Sequence, residues 1–129
     1  MPMPGEGMRV LVVDDRSEMA EMIAEDLSDR GFDARAVTSG REALNLLRSE
    51  HIDALVTDLR MPEVDGLTLL RTSIELDPSR PVIMMTAYGS LETALEAVKG
   101  GTWQYLTKPF RVEVLARLLA ASLSLRHAR

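Results

Sequence analysis

The chain has 129 residues, 46% of them apolar, with a formal charge of −5 and no cysteine. That length suits one domain with one core and leaves little room for a second. The lack of cysteine excludes disulfides and thiolate metal sites and fits a reducing, cytoplasmic compartment, while the mild acidity disfavours direct binding to nucleic acid or an anionic membrane.

Residues 1–7 carry neither a basic flank nor an apolar stretch, so they read as a flexible tail rather than a signal peptide. No apolar run approaches the roughly 20 residues that span a bilayer. Val10, Leu11, Val12 and Val13 form a continuous apolar run that ends in Asp14 and Asp15. Such a run suits a strand buried on both faces. Ser17 is placed to cap a following helix, with Glu18 and Glu21 near its positive end. Met19, Met22, Ile23 and Leu27 give that helix one face, and Gly31 supplies a left-handed stop.

Residues 32–37 alternate, with Phe32, Ala34 and Ala36 on one side and Asp33 and Arg35 on the other, as an edge strand does. Ser39 and Glu42 form a capping box ahead of Ala43, Leu44 and Leu47. A third strand over 52–57 ends at Asp58. The stretch 61–66 is loop chemistry, and Asp65 is placed to cap a helix bearing Leu67, Leu70 and Ile74. Pro78 and Pro81 bracket the next turn. A fourth strand over 82–85 ends at Thr86. Ser90 opens a helix carrying Leu91, Ala94, Leu95 and Val98, which Gly100 and Gly101 close. A fifth strand over 103–106 ends at Lys108 and Pro109, and a last helix begins near Arg111. Five strand-then-helix units predict an α/β fold, a parallel sheet with helices on both faces.

The residues that end the strands carry the chemistry. An open parallel sheet binds ligands beyond the carboxyl ends of its strands. Asp14, Asp15, Asp58, Thr86 and Lys108 all fall on that rim. Crowded carboxylates raise one another's pKa unless a cation offsets them. Hard oxygen donors without His or Cys point to Mg²⁺, which takes one or two carboxylates, waters and a substrate phosphate. An Asp beside such a site can act as nucleophile and form an aspartyl phosphate. Taken singly, each residue has a blander reading as a cap, a solvated turn or a surface lysine; their convergence favours the functional one.

Four stretches resemble the receiver domain of bacterial two-component response regulators: residues 11–15 (LVVDD), 58–62 (DLRMP) with Gly66, Thr86 with Ala87, and 108–110 (KPF). The likeness spans residues 8–125, with 1–7 a tail and 126–129 a tail or the start of a linker. It implies a flavodoxin-like, doubly wound sheet of order 2-1-3-4-5. It implies that Asp58 takes a phosphoryl group from a sensor histidine kinase. Asp15 and Asp58 would ligate Mg²⁺ directly with the backbone carbonyl of Arg60, and Asp14 would act largely through a water. Thr86 and Lys108 would contact the phosphoryl group, and Tyr105 stands at the family's aromatic switch position. Residues 86–90 and 105–110 resemble the subgroup that precedes a sigma-54-activating ATPase domain (NtrC-like), which implies regulation of transcription through an adjoining domain. The alternative is a stand-alone receiver acting by docking or phosphorelay.

Three rival readings are weaker. A phosphatase with an aspartyl-phosphate intermediate usually carries a second Asp where Arg60 stands. A flavin or nucleotide binder needs a glycine-rich loop where Asp14 and Asp15 stand. A docking-only receiver would not need the whole acidic set. Four further expectations concern the site's surroundings. The Lys108–Pro109 bond is cis, turning Lys108 into the site. Arg60 and Tyr88 tune the phosphate's lifetime. Thr86 and Tyr105 couple phosphate to the outer face. The last helix has a second apolar stripe, Val114, Leu118, Ala121 and Leu125, beside Leu115, Leu119 and Ser122. A surplus stripe suggests a homodimer or an adjoining domain.

Overall fold

The computed structural model describes residues 7–87, 99 and 104–127. Among the described residues, five strands and four helices follow one another: β1 (Arg9–Val13), α1 (Ser17–Asp29), β2 (Asp33–Val37), α2 (Gly40–Ser49), β3 (Ala54–Asp58), α3 (Gly66–Leu76), β4 (Val82–Thr86), β5 (Gln104–Thr107) and α4 (Val112–His127). The expected helix from Ser90, its glycine stop, Tyr88 and Trp103 lie outside the described residues.

The strands form one parallel sheet of order β2-β1-β3-β4-β5. Alternation of side chains along β1 divides its apolar run between two cores. Val10 and Val12 face α1 and α4, where Ile23, Leu27, Leu115 and Leu119 are buried. Leu11 and Val13 face α2 and α3, where Ala43, Leu47, Leu69 and Leu70 are buried. A strand apolar at every position is therefore what a sheet covered on both faces requires. The edge strand β2 alternates instead, with exposed Asp33 and Arg35.

The register aligns Val13 with Thr57, Asp58 with Met85, and Thr86 with Thr107. The carboxyl ends of β1, β3, β4 and β5 thus share one rim. The opposite end of the sheet is tied by polar bonds. The buried Asp53 carboxylate accepts the Arg9 N–H at 2.8 Å. Buried Arg80 donates to the Ile52 carbonyl and to Ser73 Oγ, each at 2.9 Å.

Ser39 caps α2 by accepting the Glu42 N–H at 3.2 Å, and Asp65 caps α3 by accepting the Thr68 N–H at 2.9 Å. Gly31 takes φ +102 after α1, the left-handed conformation expected of it. Two details of α1 differ from the sequence reading. Ser17 is the first helical residue and not the cap; Arg16 occupies that position without a side-chain bond. The reason lies upstream, where Asp14 Oδ1 already accepts the Arg16 N–H at 3.0 Å and closes the turn. Met22 is exposed, because the buried stripe is Ala20, Ile23, Ala24 and Leu27. One residue is about 100° of rotation, which carries Met22 off that stripe.

Candidate functional site

β1 is followed at once by Asp14, whose side chain is 0% exposed. Asp14 Oδ2 accepts Lys108 Nζ at 2.5 Å. Asp15 is exposed beside it. Asp58, the last residue of β3, is 13% exposed at its side chain, and its Oδ2 lies 3.5 Å from Lys108 Nζ. Carboxylate oxygens of Asp14, Asp15 and Asp58 lie within 4.8 Å of one another. The structure therefore brings together the three acids and the lysine that the sequence reading singled out.

Lys108 reaches the acids because of how β5 ends. Its N–H donates to the Thr86 carbonyl at 2.6 Å, holding it against the end of β4. The Lys108–Pro109 peptide is cis, as expected. Its side chain, 7% exposed, is directed inward between Asp14 and Asp58.

One ammonium does not offset three clustered carboxylates. The Asp58 carboxyl is held above its ordinary 3.8, chiefly by burial and also by the charge of Asp14. Lys108 and the Arg60 backbone N–H, which donates to the carboxylate, act in the other direction. Burial wins because the strand end is walled by the core, and a carboxylate loses more from desolvation than one lysine shared with Asp14 returns. The donors at the cluster are oxygens, the type that suits Mg²⁺ rather than a soft metal.

Thr86 is buried at the end of β4. Tyr105 pairs in register with Met84 and is exposed. Arg60 is exposed beside Asp58.

The β3–α3 loop is pinned at both ends. The Leu59 N–H donates to the Met85 carbonyl at 2.8 Å, and the Gly66 N–H donates to the Leu59 carbonyl at 2.9 Å. A Cβ on Gly66 would lie 2.4 Å from the Asp58 carbonyl oxygen, so the return of the chain past Asp58 demands glycine. Midway, Glu63 has φ +64, and the Val64 N–H donates across it to the Pro62 carbonyl at 2.8 Å. That is a γ-turn with a non-glycine residue at its strained centre. Sequence reading missed Glu63, which no local signal marks. It also missed Thr57, whose hydroxyl donates to the Asp58 carbonyl at 3.0 Å; a β-branched polar residue next to the acidic strand end was the available hint.

Among the described residues, no helix is long and apolar enough to cross a membrane. Residues 10–120 match the response regulator receiver domain family. The chain is 37% identical over 117 residues to the regulatory protein AtoC of Escherichia coli, covering 91% of this chain and 25% of that protein. It is 39% identical over 119 residues to the response regulator protein PilR of Pseudomonas aeruginosa, covering 92% of this chain and 27% of that one. It thus spans about a quarter of the length of these curated relatives. The CheY-like receiver domain protein of Methanospirillum hungatei has the same fold, with a TM-score of 0.90 at 24% identity, covering 95% of this chain and 98% of that one. Receiver domains are signalling phosphoacceptors that bind Mg²⁺ at an acidic site and are phosphorylated by sensor histidine kinases. With this fold, this rim of acids and this match along the chain, the protein belongs to the response regulator receiver domain family.

Proposed function

We propose that Asp58 is the phosphoacceptor, within a working unit of residues 8–125, and that Asp14, Asp15, Thr86, Lys108 and the Arg60 backbone serve the transfer. The observation that carries this reading is the position of Asp58 Oδ2, 3.5 Å from Lys108 Nζ and within 4.8 Å of the acidic pair. An Asp58 oxygen attacks the phosphorus of a phosphohistidine on the kinase, the P–N bond breaks, and the imidazole leaves with its electron pair. Such transfer depends on positioning and on stabilising charge more than on covalent steps by the protein. Lys108 places one positive charge where phosphoryl oxygens would lie, and the Thr86 hydroxyl is a donor for another.

The clustered carboxylates of Asp14, Asp15 and Asp58 fit Mg²⁺ on their donor chemistry; Asp15, Asp58 and the Arg60 carbonyl would hold it directly, and Asp14 would act largely through a water. The chemistry a bound Mg²⁺ supplies here is charge, offsetting the carboxylates and the phosphoryl oxygens together. The raised pKa of Asp58 supports this reading, because it comes chiefly from burying the carboxylate's charge, a cost that a bound cation would relieve.

The output belongs to the same proposal. The stretches at 86–90 and 105–110 support an adjoining ATPase domain that controls transcription, in the cytoplasm and without DNA contact by the receiver itself. On α4, Val114 and Leu125 are exposed while Leu115 and Leu119 are buried and Leu118 packs against the core, so the two ends of the second stripe are left uncovered and suit a second copy or that adjoining domain. The test of the acceptor is intact mass after treatment with acetyl phosphate and Mg²⁺. The parent should gain one phosphoryl group and Asp58→Ala none; undiminished labelling of Asp58→Ala at another residue would defeat the assignment.

A further inference from the structure

We infer that Gly40, at the start of α2, is a positioning residue for the phosphoacceptor site, acting through the β3–α3 loop. This rests on the reading of Asp58 given above. Gly40 is buried against Val64: a Cβ built on it would meet the Val64 carbonyl oxygen at 2.1 Å, Val64 Cβ at 2.8 Å and the Val64 carbonyl carbon at 2.9 Å. Distances below 3.0 Å to backbone cannot be relieved by rotating a side chain, so α2 and the loop lie backbone to backbone only because position 40 is glycine.

A second observation concerns the same stretch. Next to Gly40, Arg41 Nη2 lies 3.4 Å from Glu63 Oε2, and Glu63 is the residue held at φ +64. That ion pair is exposed and weak by itself. It marks, however, where α2 meets the strained turn. The loop's two ends are fixed by Leu59 on β4 and Gly66 on Leu59. Between them stands Arg60, whose N–H donates to the Asp58 carboxylate. The start of α2 therefore sets how the middle of the loop lies, and through it where the Arg60 backbone meets the acceptor. A strained turn persists only where its surroundings over-determine it, and Gly40 with Val64 supplies that constraint.

Gly40→Ala is the test, read by Mg²⁺ affinity in calorimetry and by the Arg60 amide signal in metal-free spectra. Ile52→Val, a core truncation at the far end of β3 from the site, is the control for lost stability. Gly40→Ala is expected to bind Mg²⁺ about tenfold more weakly, the low end of what losing an outer support costs a metal site, and to shift the Arg60 amide. Ile52→Val should do neither. If Gly40→Ala does not fold, Val64→Gly decides alone, with the same losses expected. A folded Gly40→Ala (or, failing it, Val64→Gly) with parental affinity and an unmoved Arg60 amide would overturn the inference. Failure of the parent itself to bind Mg²⁺ would instead overturn the reading of the site on which it rests.

Discussion

Replacing Lys108 by Met removes the ammonium from the site while nearly keeping its volume. Lys108 and Asp14 are 7% and 0% exposed at their side chains, so this is a buried pair. At an effective dielectric of about 20, an attraction at 2.5 Å is worth about 7 kcal/mol gross, and the second one at 3.5 Å about 5. Burying the lysine offsets much of this, since the penalty is several kcal/mol per ion. What remains after the substitution is a buried Asp14 carboxylate whose Oδ2 has lost Lys108 and whose neighbours Asp58 and Asp15 are also acids. Breaking a buried pair on one side costs about 3–5 kcal/mol, which is the expected loss in chelator at neutral pH. The assay is urea unfolding with and without Mg²⁺. Metal at a hundredfold excess over its Kd adds about 2.7 kcal/mol. The variant, with Asp14 released from Lys108, should gain at least that much, so its deficit narrows in Mg²⁺. Adding Asp14→Asn to Lys108→Met should recover part of the loss, because the orphaned charge is gone. A metal-free Lys108→Met within about 1 kcal/mol of the parent, well under the cost of a broken buried pair, would refute the reasoning.

Other outcomes follow from the same geometry. Asp58 has its folded-state pKa raised above the ordinary 3.8, so the folded protein keeps a proton that the unfolded chain has released; this contribution is full below that value and is lost as pH rises through the raised pKa. Asp58→Asn should therefore melt higher than the parent at neutral pH in chelator and match it below the ordinary carboxyl range; a parent that melts higher at neutral pH contradicts this. For the switch, the parent bound to beryllium fluoride should shift its amides around residues 86–106, and Thr86→Ala should bind the mimic but shift much less; equal shifts would remove Thr86 from the coupling. If a second copy covers the outer stripe of α4, the phosphorylated protein should sediment as a dimer and Leu125→Glu as a monomer; a parent that stays monomeric with and without phosphate leaves only the adjoining-domain version.

The alternation of apolar runs with helical periods was enough to place β1, β3 and β4 within a residue or two, because a strand covered on both faces must be apolar throughout. Ser39 and Asp65 were legible as caps because a cap is a local bond. Met22 was misread because both faces of a short helix can look apolar, and only packing against the sheet selects the buried one. Ser17 was misread because the bond that replaced its cap comes from Asp14, a residue with business elsewhere.

That Asp14, Asp15, Asp58, Thr86 and Lys108 share one rim was open to sequence reading, since each stands at or just past a strand end and the fold's rim gathers strand ends. How they share charge was not. That Lys108 sits closer to Asp14 than to Asp58 depends on the turn after β5 and on its bond to Thr86, and that burial outweighs the lysine at Asp58 depends on the walls around it. The contact of Gly40 with Val64 joins positions 24 residues apart, from 40 to 64, and carries no pattern in either segment. Sequence alone determined which groups this protein brings to its rim, because periodicity and strand ends are written locally. Only the tertiary structure decided their distances, their burial and what braces them, because those are properties of segments that meet in space.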